Sequence, residues 1–105
     1  MFAVFLLLVT TTLWSANATP RFERDVKPLL NRYCFQCHGE ALKMGGLDIR
    51  TPSLMVRGGI KGPALEKGSA ANSLLYRRIA DKTMPMGEKK LSEEEMRLIK
   101  DWIDA

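Results

Sequence analysis

The sequence predicts a small all-α domain of about three to four helices, with the first and last helices packed together. Two stretches carry that expectation. From Phe22 the apolar residues fall at Phe22, Val26, Leu29, Leu30 and Tyr33, which share one face of an amphipathic helix. Near the other end Met96, Ile99, Trp102 and Ile103 recur at the same spacing, behind Ser92 and Glu95 in capping-box register and acidic residues in the first turn. A third observation, the run Cys34-Phe35-Gln36-Cys37-His38 directly behind the first helix, says what so short a chain could fold around.

Between these helices the pattern changes. Pro28 lies inside the first amphipathic stretch, so a kink is expected there, or a short first turn with Pro28 near the start of the main helix. After His38 the paired Gly45-Gly46 and the alternation of Leu47 with Ile49 predict a turn and a short extended piece. The middle third, with Gly58-Gly59 and Gly62-Pro63, reads as a wrapping loop with one helical turn near Ser53 to Arg57. Asn72 or Ser73 is placed to cap a helix bearing Leu74, Leu75, Arg78 and Ile79 that ends near Asp81. Lys82 to Gly87 then form a non-helical connector.

The chain opens on an apolar run from Phe2 to Val9 and reaches Ala16-Asn17-Ala18, the shape of a secretory signal with cleavage after Ala18, although no Lys or Arg precedes the run. The alternative, an uncleaved anchor, falls short of the roughly 20 apolar residues that a spanning helix needs. Residues 19–105 are left as one small domain. Every charged residue lies in that part, so it keeps the formal charge of +4. A mild positive balance suits an acidic docking partner. The basic residues are scattered along the sequence, which indicates neither nucleic acid nor an anionic membrane as the partner.

The spacing C-x-x-C-H carries specific chemistry. Two thiols three residues apart can each add to a haem vinyl group, and the following residue projects an imidazole towards the iron. The chain holds two Cys and one His, so nothing competes for these roles. A redox disulfide would need a thioredoxin-like strand-helix-strand setting, which the flanks lack. Zinc would have two Cys and one His, with Glu40 as a weak fourth ligand. One covalent haem c with His38 as the proximal ligand is therefore the expected cofactor, and it would also supply the apolar centre that a domain of this size lacks.

With His38 committed, no second histidine is available, so the distal ligand is a Met, a less usual group such as Lys, or nothing. Of the six Met, Met1 departs with the signal, Met96 belongs to the packed face of the last helix, and Met44 and Met55 fall in the middle loop. Met84 and Met86 remain, in the connector beside Pro85. A thioether is a soft, neutral ligand that suits haem iron and raises its potential relative to two nitrogen ligands.

These pieces in this order resemble a class I cytochrome c, and more closely the planctomycete-type cytochrome c domain. The residues that carry the second resemblance are Met44-Gly45-Gly46-Leu47-Asp48-Ile49-Arg50-Thr51, Gly58-Gly59, Gly62-Pro63-Ala64-Leu65, Ser73-Leu74-Leu75 and Leu91-Ser92 before Asp101-Trp102-Ile103. It spans nearly all of residues 21–105. It implies a small cytochrome c fold wrapped around haem c, with thioethers at Cys34 and Cys37, His38 proximal and Met84 distal. It also implies that Pro63 offers its carbonyl to the His38 ring N–H. The family's Met-Pro-Pro is here Met84-Pro85-Met86, which makes Met86 the rival thioether.

The expected function is one-electron transfer, and no catalytic acid-base pair or nucleophile constellation accompanies the motif, so this chain is not expected to be an enzyme. Two alternatives stand beside it: an electron-relay module of a larger oxidoreductase, and a haem sensor with a labile distal Met. Redox proteins, acidic ones in particular, are the expected partners. The type of the resemblance places the domain in the periplasm or outside a bacterial cell, where c-type haem is attached.

Overall fold

The computed structural model describes residues 2–8 and 18–105. Phe2 to Leu8 are exposed and without helix or strand; the expected cleavage motif at Ala16-Asn17-Ala18 lies partly outside the described residues. Among the described residues no helix is long and apolar enough to cross a membrane.

The domain is all-α. A π-helical turn, Phe22–Val26, leads without a break into α1, Lys27–Tyr33. Pro28 stands in the first two positions of α1, where a missing N–H costs least. The widened turn just ahead of it is the form taken by the irregularity expected at Pro28. Val26 and Leu30 are fully buried on the inward face.

A single 3-10 turn, Met44–Gly46, follows the Cys-rich segment, and α2 spans Pro52–Arg57. Thr51 caps α2, its Oγ1 accepting from the Leu54 N–H at 3.2 Å. That cap with Pro52 in the first turn makes the middle helix a full turn and a half. Two glycines let the loops cross beyond it. Gly58 has a φ of +72° and abuts the Gly62 carbonyl, and a Cβ on Gly59 would run into the Gly45 carbonyl. The Ile60 N–H reaches Gly45 O at 2.8 Å and closes this crossing.

Helix α3, Leu74–Ala80, starts at Ser73, but Ser73 does not cap it through its side chain. Its buried hydroxyl turns back to the preceding loop, within 2.8 Å of Ser69 O and 2.9 Å of Glu66 N. Burial drives the choice: the Ser73 hydroxyl is itself cut off from solvent and pairs with the loop's backbone groups.

Helix α4, Glu93–Asp104, carries the full capping box: Glu95 N–H donates to Ser92 Oγ at 3.1 Å and Ser92 N–H to Glu95 Oε1 at 2.9 Å. Its face of Met96, Ile99 and Ile103 is buried and packs on the N-terminal helical segment. The rings of Phe22 and Trp102 meet at 5.3 Å between centroids. The C-terminal end is tied to the loop before α3, with Gly68 N–H on Ile103 O at 2.9 Å and Ala70 N–H on Asp104 Oδ1 at 2.7 Å. The expected pairing of first and last helices is thus present, with α3 beside α4.

Candidate functional site

The turn that ends α1 delivers the motif. Cys34 and Phe35 N–H groups close on Leu30 O at 2.8 and 3.0 Å, and Cys37 and His38 N–H groups both reach back to Cys34 O at 3.1 and 2.9 Å. This tight winding puts Cys34, Cys37 and His38 on one wall of a cavity of ≈ 510 Å³. Leu47, Ile49, Ala64, Leu75 and Ile79 supply the apolar lining. Both cysteines are free thiols.

Burial, with the neighbouring Cys37 thiol second, pushes the Cys34 thiol up to about 12. A redox-active C-x-x-C lowers the pKa of its attacking thiol. Cys34 is shifted the opposite way, which tells against the disulfide-exchange reading. Among the described residues no cluster of His, Cys, Asp and Glu could hold a metal ion by itself, so the zinc reading gains no support.

The His38 ring is oriented by the chain that follows it. Ile49 N–H donates to His38 O at 3.1 Å, and His38 Nδ1 lies 3.3 Å from Leu47 O. A carbonyl only accepts, so Nδ1 carries the proton and Nε2 keeps its lone pair free. Leu47 supplies the carbonyl at hydrogen-bonding distance from the ring, where the resemblance implied Pro63. The reason is local. Leu47 to Ile49 run beside His38 and bring a carbonyl to the ring, whereas Pro63, between Gly62 and Ala64 of the cavity lining, is exposed.

A second wall comes from α3 and the connector after it. Met84 and Met86 both line the cavity. Met84 is half-buried and firmly placed: its N–H donates to Arg78 O at 3.0 Å, and the preceding Thr83 gives its N–H and its hydroxyl to Asp81 Oδ1 at 2.9 and 2.6 Å. On the other side Lys90 Nζ holds the Pro85 carbonyl. Met86 is 59% exposed. Met55 and Met96 are buried in the core and leave the question of ligation. Met44 also lines the cavity, but its N–H is bonded to Cys37 O at 2.9 Å, which sets it on the wall of the motif.

The structure adds a feature that sequence order concealed. Arg32, Lys61, Arg78 and Lys89 all line the cavity, and no Asp or Glu does among the described residues. Arg32 faces Glu95 at 3.8 Å, and Lys89 Nζ sits 5.5 Å above the Tyr33 ring. These cations come from four separate segments, which is why they looked scattered along the sequence.

Two thiols, an imidazole and methionine thioethers lining one cavity suit the donor set of a c-type haem protein. Residues 34–86, just over half of the chain, match the family Planctomycete cytochrome C, and the chain belongs to that family. It is a c-type cytochrome domain, whose cofactor is haem c and whose work is electron transfer. No curated protein and no solved structure matches the chain.

Proposed function

We propose that the domain carries single electrons through one haem c that Cys34 and Cys37 would hold covalently and whose iron His38 and Met84 would ligate. The observation that carries this reading is the convergence of Cys34, Cys37, His38 and Met84 on one apolar cavity. Bound haem supplies a one-electron ferric–ferrous couple. The chain's own part is attachment, orientation and exclusion of water. Cys34 and Cys37 would hold the group through thioethers, each S–H adding across a vinyl group with nothing leaving. His38 offers Nε2 because Nδ1–H is engaged by Leu47 O. Met84 is favoured over Met86 because its backbone is anchored on both sides. Leu47, Ile49, Leu75 and Ile79 would give the bound group an apolar contact surface.

The cationic lining sets the partner: a redox protein with an acidic face around its own cofactor docks at the mouth of the cavity. The domain operates outside the cytoplasm of a bacterium, after cleavage following Ala18. One observation favours a second reading, in which the distal thioether exchanges and a small ligand binds: Met86 lines the same cavity two residues beyond Met84.

The test is an absorption spectrum of the protein made with haem-attachment machinery, as wild type, Met84→Ala and Met86→Ala, in both oxidation states. A haem that stays with the chain in acidified organic solvent, and a far-red sulfur-to-iron band lost only in Met84→Ala, are expected. A high-spin wild type, or a band that survives Met84→Ala, overturns the distal assignment and brings the ligand-binding reading forward.

A further inference from the structure

Asp48 is the one charged side chain among the buried described residues, at 6% exposure, and it lies one residue from the carbonyl that orients His38. A carboxylate buried beside an apolar cavity is costly unless it is fully paired. Its pairing here is complete. Asp48 Oδ1 accepts from the Arg50 backbone N–H at 3.0 Å and from Nε at 3.2 Å, and Oδ2 accepts from Nε at 3.1 Å and Nη2 at 2.9 Å. Arg50 also reaches Glu40 Oε2 at 3.6 Å, two residues past His38. Glu40 is largely exposed, so the contact with Asp48 is the one that holds this loop.

The consequence for the ring follows from the alternation of an extended chain. Leu47 and Ile49 turn their side chains to the cavity, while Asp48 between them turns away and is clamped by Arg50. With Asp48 held by Arg50, the Leu47–Asp48 peptide sits in an extended run that points the Leu47 carbonyl at His38. Ile49 N–H on His38 O fixes the other edge. The exposed ion pairs along the helices have no such position. Lys27 with Glu23 and Lys100 with Asp104 are exposed i,i+4 pairs on helices, of the kind that contributes little.

We propose that the Asp48–Arg50 pair is a positioning device for the proximal ligand, holding the Leu47 carbonyl on His38 Nδ1–H and so setting the donor strength of Nε2. This rests on the reading of His38 as an axial ligand to haem. A hydrogen bond from Nδ1–H to a carbonyl makes the imidazole a stronger donor and stabilises the ferric state, so it lowers the reduction potential. Weakening the clamp from either side should then raise the potential.

The two charges allow a test in which electrostatics and positioning give opposite signs. If Asp48 and Arg50 acted on the haem only as point charges, Asp48→Asn would raise the potential and Arg50→Gln would lower it. Positioning requires both to raise it. The experiment is a redox titration of the holoprotein as wild type, Asp48→Asn and Arg50→Gln, with hydrogen exchange of the His38 Nδ1–H followed by NMR in the diamagnetic ferrous state. The expected result is an upward shift in both variants and ring N–H exchange at least tenfold faster in each. A downward shift in Arg50→Gln, or unchanged exchange in both variants, overturns the proposal.

Two further measurements hold if Arg50→Gln does not fold. Wild-type nuclear Overhauser contacts from the His38 ring N–H should run to Leu47 and Asp48; contacts to Pro63 instead overturn the proposal. Arg50→Lys keeps the charge but not the two-pronged contact with Asp48, and it should still raise the potential; an unchanged potential again overturns it. A wild-type protein without covalent haem, or without the ring-shifted signals of a ligated His38, is a different failure. It defeats the electron-carrier reading itself.

Discussion

Tyr33 Oη donates to Glu95 Oε1 at 3.0 Å, so the last residue of α1 is bonded to the N3 carboxylate of α4, 62 positions away. The same carboxylate oxygen accepts the Ser92 N–H that closes the capping box. Tyr33 also lines the cavity. One side chain thus connects the wall of the candidate haem site, the start of α4 and the contact between the terminal helices.

Tyr33→Phe removes a single hydrogen bond and leaves the carboxylate its backbone partner, so it should cost about 1 kcal/mol of unfolding free energy. Glu95→Ala removes that bond and half of the capping box and should cost about 1–2 kcal/mol. The double variant should cost less than the sum. Denaturant unfolding of the holoprotein at pH 7, run as a double-mutant cycle, measures the coupling. Strict additivity would mean that the Tyr33 contact stabilises nothing.

The pH dependence follows from the same group. The Ser92 N–H, then the Tyr33 hydroxyl, hold the Glu95 carboxyl below its ordinary value. A depressed folded-state pKa gives stability that is fully present above the unfolded carboxylate value and is lost as pH falls through the folded value. Stability should therefore be flat from neutral pH down to about 5 and decline below about 4. Glu95→Gln should flatten that decline. Thermal unfolding of both proteins between neutral and acid pH checks it, and an equally steep acid limb in Glu95→Gln would assign the loss to other carboxylates, Asp48 first.

The core prediction concerns Ile99, which is fully buried in the face of α4 that meets the N-terminal segment. Ile99→Ala should cost about 2–5 kcal/mol and Ile99→Val about 0.5–1.5 kcal/mol. For a domain this small the larger figure is a sizeable share of its total stability. Haem attachment should persist in Ile99→Val, since the residue does not line the cavity. Chemical denaturation monitored by far-UV circular dichroism gives both values.

How much of this was legible in the sequence depends on whether the signal was local. The capping box at Ser92 and Glu95, the inward faces of α1 and α4, and the placement of Pro28 near the start of α1 are set by residues within one or two turns. Each appears in the structure as periodicity and capping chemistry dictate. Cys34, Cys37 and His38 were legible because the spacing itself is the chemistry. Ser73 stands at the N-cap position, as one of the two residues expected there, but its side chain turns away because its partners, Ser69 O and the Glu66 backbone, come from a loop whose path is invisible in the sequence. The Leu47 carbonyl was missed because any residue has a carbonyl. Only the path of the loop, fixed by Asp48 and Arg50, makes that one matter. The cations around the cavity, Arg32, Lys61, Arg78 and Lys89, were likewise hidden by their separation along the chain.

Loss of the cofactor should be felt as loss of fold. Leu47 and Leu75 line a cavity of ≈ 510 Å³ and are only half-buried by the chain itself, so the rest of their burial depends on what fills it. The variant Cys34→Ala with Cys37→Ala cannot form thioethers. It should melt at a markedly lower temperature than the holoprotein, over a broader transition, and with loss of the near-ultraviolet signal from Trp102. Calorimetry and near-ultraviolet circular dichroism make the comparison. Equal melting temperatures would show that the helices pack without the haem, and would remove the folding argument for it.

The cationic lining gives the last prediction. With Lys61 and Lys89 at the cavity and no carboxylate among its lining residues, encounter with an acidic redox partner should be steered by charge. The bimolecular rate of electron transfer to a small acidic redox protein should be fastest at low ionic strength. It should fall about tenfold or more as salt shortens the screening length to about 10 Å. Reversing both charges, Lys61→Glu with Lys89→Glu, should slow the low-salt rate by a similar factor and leave little salt dependence. Neither lysine holds the haem in the proposed arrangement, so the potential and spectrum should change little, which separates docking from cofactor damage. Stopped-flow mixing across a salt series decides it. A wild-type rate that rises with salt would mean that the partner presents a basic face, and that these cations neutralise the haem propionates instead of guiding the encounter.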